Sequence, residues 1–139
     1  MKASFVLDSS VALAWCFPEE ATPETRELLD RMSAESAAVP AWWFIELTNV
    51  LYLAEKKKRI TPAKVAQFIA LIEAFDLAIH ADGSARAFAH ILPLCRAHAL
   101  TSYDALYLDL ALTEQLPLAA LDEPLRKAAA KLGVKLLGK

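Results

Sequence analysis

Apolar residues fall along this chain in short blocks of period two or less, separated by longer stretches in which they recur every three or four positions. The short blocks predict strands near Ala3 to Leu7, Ala37 to Val39, Leu77 to His80, Leu118 to Leu121 and Val134 to Leu137. The intervening periodicity predicts helices. The first starts at Ser9 or Ser10 and stops before Pro18, because the residue preceding a proline avoids helical geometry. A second runs from Pro23 to Glu35 behind a Thr22 cap, a third from Trp42 to Lys58, and a fourth from Thr61-Pro62 to Phe75. Ser84 to Leu92 reads as helical, with Pro93 marking a kink or break before Leu94 to Ala99. Ser102 to Gln115 and Glu123 to Leu132 complete the set, the last closed by Gly133. Strands that alternate with helices, several of them apolar on both sides, predict a mostly parallel sheet of about five strands covered on both faces. The expected fold class is α/β, a three-layer α/β/α sandwich.

A chain of 139 residues fits one domain, and the absence of any linker, low-complexity tract or repeat extends that domain over residues 1–139. Hydrophobic residues make up 56% and charged residues 23%, which excludes a disordered chain. Cys16 and Cys95 form no CxxC pair and sit among apolar neighbours, so they are expected as buried free thiols in a reducing compartment. With no secretory succession at the start and no apolar run of about 20 residues, the expectation is a soluble cytoplasmic protein without a membrane span.

Charge narrows the partners. A net charge of −2 and a pI near 5.9 lack the basic excess usual in nucleic-acid-binding proteins. A polyanionic substrate would therefore need local help, from the Lys56-Lys57-Lys58-Arg59 run or from a divalent cation. The run also complements the C-terminal dipole of the third helix, and both readings hold together. Arg86, Arg96 and Arg126 are scattered and predict no basic face. His80, His90 and His98 lack zinc-ligand spacing. Trp42, Trp43 and Phe44 point three ways from one helix, into the core and toward a partner chain.

Most of the seventeen acidic residues lie on polar helix faces, but four occupy unusual places. Asp8 ends the first strand of SFVLDSS, where parallel sheets bind ligands; it also suits the cap of the following helix. Glu46 sits inside the apolar run WWFIELTNVL, where an acid is costly unless paired. Asp104 lies two residues after an expected Ser102 cap, a place the helix dipole favours in any case. Asp122 follows LPLAAL and precedes Glu123-Pro124, as a helix cap would. If the strands are parallel neighbours, all four can meet at one rim. Carboxylates crowded within about 5 Å push protons back on unless a cation intervenes. An all-oxygen set suits a hard cation, Mg²⁺ with Mn²⁺ as a substitute, and hence phosphodiester hydrolysis.

These residues carry a resemblance. The succession LDSSVALAW, ELTNVL, SYDALYLDLA and LPLAALDEPLRKAA resembles PIN-domain ribonucleases, specifically VapC-type toxins of toxin-antitoxin pairs, over nearly the whole chain. The resemblance implies a metal-dependent endoribonuclease with Asp8, Glu46, Asp104 and Asp122 as catalytic metal ligands and Ser10 and Asn49 in support. It also implies a homodimer, an RNA substrate, and a cognate antitoxin with a basic tail that occupies the active-site groove. The chain departs from the pattern at Ala120, where the family often has Thr or Ser two residues before the last acid. Asp109, on another part of its helix, is expected at the surface or as an accessory.

Two other phosphate chemistries fit less well. Haloacid-dehalogenase-like phosphatases place a second aspartate where Ser10 stands, and receiver domains need a lysine at a later strand end. A non-catalytic binding module, with an acidic groove for a basic partner, is the alternative from a different class.

Overall fold

The structure, a computed structural model, describes residues 2–81 and 83–139. Five strands form one all-parallel sheet in the order β3-β2-β1-β4-β5: β1 (Ala3–Leu7), β2 (Ser36–Pro40), β3 (Leu77–His80), β4 (Leu118–Ala119) and β5 (Leu136–Leu137). Seven α-helices are described around it: α1 (Ser9–Ala14), α2 (Pro23–Arg31), α3 (Trp43–Lys56), α4 (Pro62–Glu73), α5 (Leu92–His98), α6 (Ser102–Glu114) and α7 (Glu123–Lys131). Phe5, Val6 and Leu7 are all fully buried, as is every residue of β2. Consecutive residues point to opposite faces of a strand, so the centre of the sheet is covered on both sides. This is the expected α/β/α sandwich.

The strand order positions the site. From β1 the chain steps outward to β2 and β3, then returns across β1 to β4 and β5 on the other side. The reversal opens a crevice beyond the carboxyl ends of β1 and β4, the switch point where parallel α/β sheets take ligands. Asp8 and Asp122 lie just past these two strands.

Several boundaries differ from the sequence reading for local reasons. β4 ends at Ala119 because Leu121 N–H donates to Ser10 Oγ (3.1 Å) rather than to a strand. β5 starts late because Val134 N–H closes the end of α7 on Ala129 O (2.9 Å). α2 stops at Arg31 because the backbone tightens there into three-residue turns, Ser33 N–H donating to Asp30 O (3.3 Å) and Ala34 N–H to Arg31 O (3.0 Å). At Pro93, where a kink or break is expected, the chain does not break. Instead a 3-10 turn (Ser84–Arg86) and a π turn (Ala87–Ile91) lead into α5, with Pro93 in its first turn. A proline ring crowds the preceding turn and supplies no N–H, and the wider turn accommodates both effects. Cys16 and Cys95 are free but half-buried, not buried. Among the described residues no helix is long and apolar enough to cross a membrane.

Helix α6 runs through the middle of the molecule. Its residues Ala105 to Ala111 are all buried, against β1, β2 and β4. The helix is therefore apolar nearly all round, and the polar groups it does carry must find partners. Asp109 does so with Arg86, in a two-pronged ion pair at 2.7 and 3.0 Å. That corrects the surface placement expected for Asp109: it is buried, and its carboxylate is spent on Arg86. Tyr107, fully buried on the same helix, finds its partner in the acidic crevice.

Candidate active site

Asp8 performs two jobs at once. It is the N-cap of α1, with its side chain accepting from Ser10 N–H (3.3 Å), and Ser10 Oγ–H donates to the same carboxylate. Ser10 Oγ also accepts from Leu121 N–H, so one hydroxyl ties the end of β1 to the turn beyond β4. The Asp8 carboxyl is 5% exposed, and burial is the main cause that lifts its pKa to about 7. The Ser10 hydrogen bonds oppose the rise, while the charges of Glu46 and Asp104 add to it.

Glu46 occupies the first turn of α3, half-buried, and its Oε1 accepts from the Tyr107 hydroxyl at 2.8 Å. Trp42, just before α3, packs edge-on against Tyr107 and Tyr103, with ring centroids 5.2 and 5.6 Å apart. The aromatic wall therefore sets the position of the phenol that holds Glu46. Burial, then the charges of Asp8 and Glu46, push the Tyr107 pKa well above its ordinary value, so the group stays a hydrogen-bond donor.

Asp104 lies in the first turn of α6, where the cap is Thr101 rather than Ser102; Thr101 Oγ1 accepts from Asp104 N–H at 3.2 Å. Its carboxyl is half-buried and lifted to about 6, first by burial and then by the charges of Asp122 and Glu46. A hydrogen bond between the Asp104 and Asp122 carboxyls favours the protonated form of Asp104. Asp122 is exposed and caps α7, accepting from Leu125 N–H at 3.1 Å. No hydroxyl supports it from position 120. Ala120 is fully buried and its carbonyl oxygen accepts from Arg126 Nη1 at 2.8 Å.

The four acids thus share one crevice: Asp8 feels Glu46 and Asp104, and Asp104 feels Glu46 and Asp122. Two carboxyls lifted to about 7 and about 6, first by burial and then by like-charged neighbours, resist ionisation where they stand. No three His, Cys, Asp or Glu side chains among the described residues are yet drawn together closely enough to hold an ion. Each carboxylate instead takes a neighbouring donor, Ser10, Tyr107 or Leu125 N–H, or another carboxyl. The donor set is nonetheless all oxygen, which fits a hard divalent cation.

The remaining candidates lie elsewhere. Asn49 is exposed one turn beyond Glu46, and its side chain makes no hydrogen bond among the described residues. Lys56, Lys57 and Lys58 are exposed at the far end of α3, about 15 Å along the helix axis from Glu46. Arg59 is engaged: it pairs with Glu19 at 2.7 Å and with Glu20, and its guanidinium lies 3.9 Å over the Phe17 ring. Tyr107 is the site residue that sequence reasoning missed. A phenol inside the aliphatic run ALYLDL requires a buried acceptor, and that was the available signal.

A carboxylate-lined crevice at the switch point of an all-parallel sheet defines a class of α/β proteins built to bring acids together. The family model of the PIN domain matches residues 5–131, and the chain belongs to that family. PIN domains are generally nucleases, usually metal-dependent. The crystal structure of PAE2754 from Pyrobaculum aerophilum superposes with a TM-score of 0.70 at 17% identity, over 96% of this chain and 83% of that one. It is alike in fold. Among curated proteins none matches the sequence.

Proposed function

We propose that the protein is a metal-dependent endoribonuclease, the toxin of a toxin-antitoxin pair. The observation that carries the nuclease reading is the convergence of Asp8, Glu46 and Asp104, with Asp122 beside them, at the switch point of the sheet, where burial and then like charges raise the Asp8 and Asp104 carboxyls. Asp8, Glu46, Asp104 and Asp122 would hold Mg²⁺ or Mn²⁺. When bound, such an ion offsets phosphate charge and makes water a stronger nucleophile at neutral pH. The chain's own residues set up that chemistry. Ser10 fixes the Asp8 carboxylate toward the crevice, and Tyr107 fixes Glu46. The hydrogen bond to the Asp122 carboxyl favours the protonated form of Asp104, and a bound cation would favour its ionised form.

Toxin identity, a homodimer and an antitoxin follow from the resemblance to VapC-type toxins. Physical support comes from apolar surface. Tyr52 and Ile69 are exposed along an open groove of about 390 Å³ between α3 and α4, floored by the buried Leu47, Leu51 and Phe68, and Ile45 and Phe88 are 71% and 88% exposed. Such surface suits apolar segments of a partner chain.

Metal-free protein should be incubated with total cellular RNA, with Mn²⁺ or Mg²⁺ then added and new 5′ ends mapped. Discrete ends are the expected result. No cleavage with either ion, together with no heat of metal binding, would instead favour a non-catalytic module with an acidic groove.

The Tyr107→Phe variant separates positioning from packing. It removes one hydroxyl from a charged acceptor, a change that costs roughly 1.5–3 kcal/mol where the bond is buried. Loss of a positioning partner typically weakens metal binding by about 10- to 100-fold. Calorimetric titration with Mn²⁺ is expected to show that loss, while the α-helical spectrum stays unchanged.

A further inference from the structure

Helices α5 and α7 enclose an open cleft of about 890 Å³ on the molecule's surface, lined by Arg96, His98, Arg126, Lys127 and Lys131 against the single carboxylate of Glu123. Glu123 is itself paired with Lys139, so its charge is already met. Arg126 is tied down, donating to the carbonyl oxygens of Ala120, Leu137 and Lys139 at 2.8, 3.0 and 3.2 Å. Arg96, Lys127 and Lys131 are exposed and form no ion pair among the described residues. A protein of net charge −2 has gathered a cationic trough at one place.

Position relates the trough to the acids. Asp122 immediately precedes Glu123 at the head of α7, and Asp104 lies five residues beyond Ala99 at the end of α5. Both walls therefore run from the acidic crevice outward. The nine residues of α7 cover about 13 Å, the length of about four stacked nucleotides at roughly 3.4 Å each. The Lys56 to Lys58 run, by contrast, lies at the far end of its helix from Glu46. Arg96 and Arg126 are thirty residues apart in sequence, and only the packing of α5 near α7 shows them as one face.

We infer that this trough binds the phosphate backbone of single-stranded RNA as it leaves the acidic crevice, with Arg96, Lys127 and Lys131 as the contacting side chains. The inference deepens the nuclease reading and rests on it for the identity of the strand. An open, shallow cleft with flexible ammonium groups suits backbone contact without base selection.

The test uses the full chain in chelator, so that cleavage does not intervene, and a short fluorescein-labelled single-stranded RNA of mixed sequence. Combined Arg96→Gln, Lys127→Gln and Lys131→Gln substitutions are expected to weaken binding by at least about tenfold at low salt. The slope of log affinity against log salt should fall by about 2, at roughly 0.7 for each lost single-strand phosphate contact. Arg96→Lys with Lys127→Arg and Lys131→Arg is expected to restore both, which a folding defect would not allow. Unchanged affinity and slope in the glutamine variant overturn the inference, as does an equal or larger loss from Lys56→Gln, Lys57→Gln and Lys58→Gln. Unchanged RNA binding with lost binding of polyglutamate also overturns it and assigns the trough to an acidic polypeptide. A parallel assay with Mn²⁺ keeps the two readings apart. Cleavage by wild type without trough dependence refutes the trough alone, and trough-dependent binding without cleavage refutes the nuclease alone.

Discussion

Replacing Asp8 with asparagine is expected to abolish RNA cleavage and, in the same protein, to stabilise the metal-free fold. The two effects have one origin. Asparagine caps a helix about as well as aspartate, and its carbonyl oxygen can still accept from Ser10 N–H and Oγ–H, so the turn from β1 into α1 is kept. What disappears is a charge buried at 5% exposure beside Glu46 and Asp104. Metal ligation offsets several kcal/mol of charge in a phosphoryl transition state, so the loss of cleavage should reach about 10³-fold or more. The stability gain at pH 8 is bounded by the raised pKa. From 3.8 to about 7, at about 1.4 kcal/mol per pH unit, burying the ionised carboxyl costs up to about 4 kcal/mol. Urea unfolding in chelator measures the second effect and a discontinuous cleavage assay the first. Metal-dependent cleavage retained by pure Asp8→Asn protein would remove Asp8 from the site. A large loss of stability would make the carboxylate structural instead.

The pairing of those effects bears on how the site is encoded. That Asp8 ends a strand was legible, because a run of fully buried residues stops at an acid, and the reading as a cap was correct as well. Capping and site membership did not compete: a cap fixes a carboxylate at a strand end, where a site needs one. Asp122 repeats the arrangement at α7. Glu46 was legible as an anomaly within an apolar run. Its partner was not, because Tyr107 is 61 residues away and the two meet only through the packing of α3 beside α6. Asp109 went wrong for the same reason. Helical periodicity shows which side of α6 it occupies, and cannot show that Arg86, 23 residues earlier, returns to meet it. Local signals such as caps, prolines and buried strands depend on near neighbours and can be read from sequence. Charge compensation depends on the tertiary arrangement. The basic trough, assembled from α5 and α7, belongs to that second kind.

Burial of the Asp8 and Asp104 carboxyls beside like charges predicts that the metal-free protein loses stability as pH rises from about 4 to about 7. Asp8 and Asp104 have folded-state pKa values raised from 3.8 to about 7 and about 6, so in this window the folded state holds more protons than the unfolded chain. Stability falls with pH wherever the folded state holds the excess, and levels off above the higher folded value. Asp8, deeply buried, contributes most of the fall; Asp104 is half-buried and screened by solvent, so it adds less. Glu19, Glu35 and Glu123 act in the opposite sense, because their ion pairs with Arg59, Arg31 and Lys139 hold their carboxyls below the usual range. Glu19 and Glu123 are exposed and Glu35 partly so, and their stabilisation is already in place above about pH 5. The interval from pH 5 to 7 therefore belongs to the crevice. Melting in chelator should show the decline, and Asp8→Asn should flatten most of it. Mn²⁺ at about 100 times its dissociation constant should return about 2.7 kcal/mol at pH 8, and progressively less as protons reclaim the carboxyls on acidification. A melting profile without slope between pH 5 and 7 would mean that the acids lie farther apart, or wetter, than the crevice requires. A slope that survives in Asp8→Asn and Asp104→Asn together would move its origin to other groups.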